Sequence, residues 1–210
     1  MKISSRREKE RTAHEAEIVA AAEKVFIAKG FEAASIDEIA KAAQFTRRTV
    51  YQYFANKEEL YFAVILKGFR MLFTYFETAV APEETGFVKC RQTGLAYYRF
   101  YQEHPELFRL MNLIGHIRPK MESAQKYSEF MEFDNQLFQA MSQIIREGQA
   151  DGSIKPDLNA GQVTYSLIFT LTGFLYELSI SGQTFTRHFM LDEEDFVQAS
   201  LRLVFQSIQA

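Results

Sequence analysis

The sequence predicts an all-α protein: an N-terminal three-helix helix-turn-helix head followed by a larger helical body, about nine helices in all. Three observations predict it. Apolar residues recur at intervals of three and four through most of the 210 residues, with no alternating run of strand length. Residues suited to capping helices stand immediately before several of those runs, among them Ser35, Thr46, Asn56 and Asp192. A hydrophobic content of 47% is enough for a real core. The expected division is a head over residues 1–56 and a body over residues 57–210.

In the first helix, from Ala13 to Lys29, the residues Ile18, Ala21, Ala22, Val25 and Phe26 share one face, and Gly30 suits the position just past a helix end. Ser35 and Glu38 form an S-x-x-E capping box, so a second helix starts at about residue 36 and buries Ile36, Ile39, Ala40 and Ala43. Gln44-Phe45 interrupts it. Thr46 then caps a third helix, Arg47 to Tyr53, which buries Val50 and Phe54 and leaves Arg47, Arg48, Thr49, Tyr51 and Gln52 outside.

Asn56 with Glu59 opens a long helix, Lys57 to about Ala81, carrying Leu60, Val64, Ile65, Leu72 and Phe76 out of the head. Pro82 to Gly86 is a break. Helices follow from about Phe87 to Glu103, from Pro105 to near Gly115, and from about Lys120 to Ala150. The last two are expected from Asn159 to about Ser181 and from Glu193 to about Gln209.

The outward side of the third helix has the chemistry that reads a duplex. Arg can be bidentate to guanine and Gln to adenine, a Thr methyl or Tyr ring can touch a thymine methyl, and hydroxyls and Lys can hold phosphates. The second helix of such a pair enters the major groove by its N-terminal residues. The DNA-contacting set is therefore Ser35, Thr46, Arg47, Arg48, Thr49, Tyr51, Gln52, Tyr53 and Lys57.

Ser35, Ile39, Ala40, Ala43, Thr46, Thr49, Val50, Tyr51, Tyr53, Phe54, Lys57, Glu58 and Leu60 fit a dense pattern that resembles the signature of the TetR family of bacterial repressors. Two positions depart from it: the usual turn Gly is Gln44, and the usual small apolar residue is Phe45. A non-glycine residue at positive φ costs roughly 1–2 kcal/mol, so Gln44 implies either a strained position or an altered turn. The resemblance further implies that the long helix couples body to head and that the last two helices build a four-helix homodimer interface. In the penultimate helix, Ser166, Thr170, Gly173 and Glu177 share a face that would admit a neighbouring helix, and Phe196, Ala199, Leu203, Val204 and Ile208 provide packing on the last. A two-fold dimer calls for a palindromic double-stranded DNA operator.

Net charge is −3, against a nonspecific coat for nucleic acid. The basic excess is local: Lys2, Arg6, Arg7, Lys9 and Arg11 form an N-terminal arm, which suits either DNA contact or solubility alone. Cys90 is the single cysteine, so no internal disulfide or multi-cysteine zinc site can form, which fits a cytoplasmic protein. No secretion signal opens the chain, and the uncharged segment Val163 to Tyr176 is too short for a bilayer and is expected to be a buried helix. No nucleophile elbow, zinc-protease motif or phosphate loop occurs, so neither an enzyme nor a cofactor is expected.

Beyond residue 60 the chain carries 16 Phe and 8 Tyr. Most must be core, but a ring-rich body can also leave an apolar pocket with a few placed polar groups. Candidate effector contacts are Phe108, Arg109, Met111, His116, Tyr127, Met131, Asp134, Phe138 and Phe169; Asp134 sits on an apolar stripe where a carboxylate needs a partner. The expected function is a ligand-responsive repressor released from its operator by a small hydrophobic or amphipathic effector. The alternative is a regulator that is constitutive or controlled by a protein partner.

Overall fold

The computed structural model describes residues 6–113 and 125–210. Within them run nine helices: α1 (Arg6–Ala33), α2 (Ile36–Ala42), α3 (Arg47–Tyr53), α4 (Lys57–Ala79), α5 (Gly86–Glu103), α6 (Pro105–Asn112), α7 (Gln125–Ala150), α8 (Ala160–His188) and α9 (Glu193–Gln206). Among the described residues the only β pairing is an isolated antiparallel bridge between Ile154 and Gln209. His116, Lys2 and the expected helix start near residue 120 lie outside the described residues.

The chain divides into two compact units, one of residues 1–69 and 110–132, the other of residues 70–109 and 133–210. In the first, α1 contributes Ile18, Ala22 and Phe26, α2 Ile39, α3 Val50, and α4 Leu60, Tyr61, Phe62 and Ile65, all buried together with Phe54. Each such side chain is worth about 1.5–3 kcal/mol when withdrawn from water. Phe26, Phe31 and Tyr61 pack ring against ring at 5.1 to 5.8 Å. The Tyr61 hydroxyl donates to the Leu110 carbonyl at 2.7 Å, and burial pushes its pKa up. That polar end is satisfied inside an apolar cluster.

In the second unit α5 lies against α8 and α9. Gly94 leaves room for the ring of Phe205, and Leu171, Leu175, Val197 and Leu201 complete the apolar layer. A buried hydroxyl pair, Ser142 with Thr164 at 3.0 Å, ties α7 to α8.

Several helix ends differ from the sequence expectation. Helix α1 is already formed at Arg6, the first described residue, ahead of the expected start at Ala13; an Arg6–Glu10 pair at 2.9 Å lies on its first turns, and the helix is broken at Gly30, whose φ of 77° and ψ of 165° are not helical. Helix α6 ends at Asn112. Helix α9 stops at Gln206, so Gln209 is free to make its bridge. Helix α8 extends to His188, seven residues past the expected end.

Nor is α8 the buried helix expected over residues 163–176. Val163, Leu171, Leu175 and Leu178 are buried, whereas Tyr165, Ser166, Phe169, Thr170, Gly173, Glu177 and Ile180 form an exposed face, with Phe169 75% exposed. Leu203 on α9 is likewise 72% exposed. Helix α8 is the one described helix whose length and composition alone would suit a membrane span. A helix with one face in a core and an apolar outer face passes the same test.

Candidate nucleic-acid interface

The head is assembled from local signals that the structure realises closely. Ser35 Oγ accepts from the Glu38 amide at 3.3 Å while Glu38 reaches back to the Ser35 amide at 3.1 Å, a complete capping box. Lys29 and then Ser35, hydrogen-bonded to the Glu38 carboxylate, hold it below its ordinary range. Helix α2 then closes with the Phe45 amide on the Ala40 carbonyl (2.9 Å) and the Gln44 amide on the Lys41 carbonyl (3.2 Å). That is a Schellman motif with Gln44 at the left-handed position, φ 58°. Of the two expectations for Gln44, the strained position is the one realised.

Thr46 Oγ1 caps α3 by accepting from the Thr49 amide at 3.1 Å. With Val50 fully buried as the anchor, the opposite side of this two-turn helix is presented outward. Arg47, Arg48, Tyr51 and Gln52 are exposed, and Thr49 and Tyr53 are half-buried. Arg47 is held from two sides: Nη1 donates to Asp37 of α2 at 3.1 Å, and the guanidinium lies 5.5 Å from the centre of the Tyr51 ring.

The other two residues of the expected set, Ser35 and Lys57, have partners within the head. Ser35 is engaged in its capping box. The Lys57 ammonium donates to the carbonyls of Phe31, Glu32 and Ala34 at 2.8, 3.2 and 3.1 Å, which uses all three of its protons. It closes the C-terminal end of α1, where a cation also meets the negative end of the helix dipole.

The sequence offered Arg7 and Arg11 as part of a basic arm, but not His14 and not the place of α1 beside α3. Arg7, Glu10, Arg11 and His14 face Gln52 and Tyr53 across a shallow cleft of about 340 Å³. His14 Nδ1 lies 3.3 Å from the Tyr53 hydroxyl, and its ring meets Phe45 edge-on at 5.1 Å. These partners are more than thirty residues apart, and no local signal could pair them. Part of the basic arm is therefore helical and lies beside α3.

The candidate effector residues are divided between the two units. Met111, Tyr127 and Met131 belong to the first, where Tyr127 packs edge-on against Phe62 at 5.3 Å. Phe108, Arg109, Asp134, Phe138 and Phe169 belong to the second. There Phe108 is fully buried against Tyr97 and Tyr101, Arg109 is exposed, and Phe138 stacks on Tyr165 at 4.2 Å. Phe169 stands on the exposed face of α8. Among the described residues no cluster of His, Cys, Asp or Glu is arranged to hold a metal.

A capped helix pair with its second helix turned outward on a helical body defines a helix-turn-helix DNA-binding protein. Residues 18–64 match the family model for bacterial regulatory proteins of the tetR family, and residues 90–204 match that for the tetracyclin repressor-like C-terminal domain. The chain belongs to the TetR family of DNA-binding transcriptional regulators.

It is 30% identical over 95 residues to the HTH-type transcriptional activator FasR of Mycolicibacterium smegmatis, covering 45% of this chain and 43% of that protein. It is 26% identical over 147 residues to the HTH-type transcriptional repressor NicS of Pseudomonas putida, covering 67% of this chain and 66% of that protein. The matched stretches thus span less than two thirds of both curated relatives. Among solved structures, the fold resembles the transcriptional regulator FadR from Bacillus subtilis in complex with stearoyl-CoA, with a TM-score of 0.71, 18% identity and coverage of 92% and 98% of the two chains. It also resembles a tetR-family regulator from Rhodococcus RHA1, with a TM-score of 0.70, 20% identity and coverage of 93% and 96%.

Proposed function

We propose that the protein is a ligand-responsive repressor that binds a palindromic operator as a homodimer through α8 and α9 and is released by a small hydrophobic or amphipathic effector. The observation that carries the DNA-binding half is the presentation of Arg47, Arg48, Tyr51 and Gln52 on a helix anchored by Val50. Arg47 and Gln52 read bases, while Arg48, Thr46, Thr49, Tyr51 and Tyr53, with Arg7 and Arg11 of α1, hold the backbone.

Dimerisation is supported by the outer face of α8, where large apolar side chains alternate with Ser166, Thr170 and Gly173, and by Leu203 on α9. Large apolar side chains grouped in this way on an exposed helix face suit an association surface. NicS, a named repressor, shares the longer of the two matched stretches, and repression needs only occupancy of the operator. An amphipathic acyl compound is the effector class we favour, since the neighbour FadR is solved with stearoyl-CoA and the body is rich in aromatic residues.

The test combines light scattering with fluorescence anisotropy on a duplex selected by the full-length protein from a randomised library. We expect a dimer, a selected sequence with two-fold symmetry, and displacement by micromolar stearoyl-CoA. A monomer selecting an asymmetric site overturns the dimer reading, and binding unaffected by acyl compounds overturns the effector class.

A further inference from the structure

Asp37 is an anomaly on this surface. Its carboxylate is 64% exposed beside the outward face of α3, where it weakens the attraction of any duplex for the head. It nevertheless takes the Nη1 donor of Arg47, the first residue of α3, and Arg47 in turn lies over the ring of Tyr51 one turn later. Among the described residues Arg48, the adjacent cation, makes no hydrogen bond or ion pair. One of the two neighbouring arginines is tethered and the other is free.

From this contrast we infer that Asp37 is a positioning residue for sequence specificity, holding the Arg47 guanidinium against Tyr51 in the posture that meets a base edge. The inference rests on the reading of Arg47 as a base contact. A free arginine has a long stem to order when it docks, whereas one clamped between a carboxylate and a ring has lost much of that freedom beforehand. Asp37 takes only the Nη1 donor, and a guanidinium carries five N–H donors, so the group still has donors to offer an acceptor pair such as guanine O6 and N7. The carboxylate lowers attraction to every sequence while orienting the group that distinguishes one sequence from another.

The two effects have opposite signs, so they can be separated. The measurement is the affinity of the full-length protein for the library-selected duplex and for a random duplex of equal length, at fixed salt. We expect Asp37→Ala to tighten random-duplex binding about twofold, by removal of a like charge, while the ratio of selected to random affinity falls roughly five- to tenfold. Asp37→Asn, which keeps an acceptor without the charge, should retain the tighter random binding and recover part of the ratio. In an Arg47→Ala background, removing Asp37 should leave the ratio unaltered, and a mismatch scan should show both single variants relaxing the same base pair.

Equal tightening of both duplexes by Asp37→Ala, with the ratio kept, overturns the positioning role and leaves Arg47 as a reader. An unchanged ratio in Arg47→Ala itself overturns the base-reading assignment and this inference with it. Circular dichroism on each variant separates a loss of specificity from a loss of the α2 helix.

Discussion

The ammonium nitrogen of Lys57 lies 2.8 Å from the carbonyl oxygen of Phe31 and 4.5 Å from the centre of the Phe31 ring. A residue that the sequence assigns to phosphate is thereby a fastening between the start of α4 and the end of α1. Lys57→Met should lower stability by about 1–3 kcal/mol in urea, since three carbonyls lose a charged donor. The slope of log affinity against log salt should stay unchanged. A slope reduced by about one would restore Lys57 to the phosphate contacts.

Gln44 holds the left-handed position of the turn between α2 and α3, and Met190, at φ 51°, holds the equivalent position after α8, where the Leu191 amide reaches the Thr186 carbonyl at 2.9 Å. Glycine adopts this geometry without strain. Gln44→Gly and Met190→Gly should each stabilise the protein by about 1 kcal/mol and raise the melting temperature by roughly 2–4 °C at fixed protein concentration. A fall in melting temperature would show that the side chains contribute more than the strain costs.

Gly86 opens α5 against α7 with no room to spare. A Cβ there would stand 2.7 Å from the Ile144 carbonyl oxygen and would overlap the backbone nitrogen and Cα of Gly148. Backbone cannot step aside as a side chain can. Gly86→Ala should cost about 3 kcal/mol or more, and Gly161→Ala, where the nearest atom is the Asn159 side chain at 3.4 Å, far less. Comparable losses for the two would contradict the close helix approach.

Asp151 accepts from the Gly86 amide at 2.7 Å and the Ser153 amide at 2.9 Å, and its hydrogen bonds to Ser153 and Gly86 lower its pKa. A depressed carboxylate stabilises the fold at pH values above its ordinary range and loses that contribution as pH falls through the lowered pKa. Between about pH 5 and about pH 3 the melting temperature of the native protein should therefore fall more steeply than that of Asp151→Ala. Parallel curves would place the acid sensitivity elsewhere.

Burial pushes the Cys90 thiol up to about 12, so almost no thiolate exists at pH 8 in the folded protein. Ellman's reagent should react only as fast as the protein opens, with full labelling in urea. Rapid labelling of the native protein would mean that the α5 interior opens far more readily than its packing implies.

The head was legible because its signals are local. Ser35 with Glu38, Thr46 before Arg47, and Asn56, whose Oδ1 accepts from the Glu59 amide at 2.7 Å, each lie within three residues of their partners, and the intervals between apolar residues set the buried faces. At Gln44 the absence of a glycine left a strained position or an altered turn open, and the backbone φ of 58° decides for the first. The helical turns of α1 ahead of Ala13 were hidden because Arg6 to Thr12 is charged and polar, without an apolar stripe to reveal a helix.

What only the tertiary structure decided is which side chains meet across long intervals of chain. Lys57 finds the end of α1, Tyr53 finds His14, Arg47 finds Asp37 rather than open solvent, and Phe169 faces outward while Phe108 is enclosed by Tyr97 and Tyr101. Helical periodicity fixes that a residue lies on one side of its own helix. Which surface, if any, then covers that side depends on how separate helices close upon one another, and residue spacing along the chain carries no record of it.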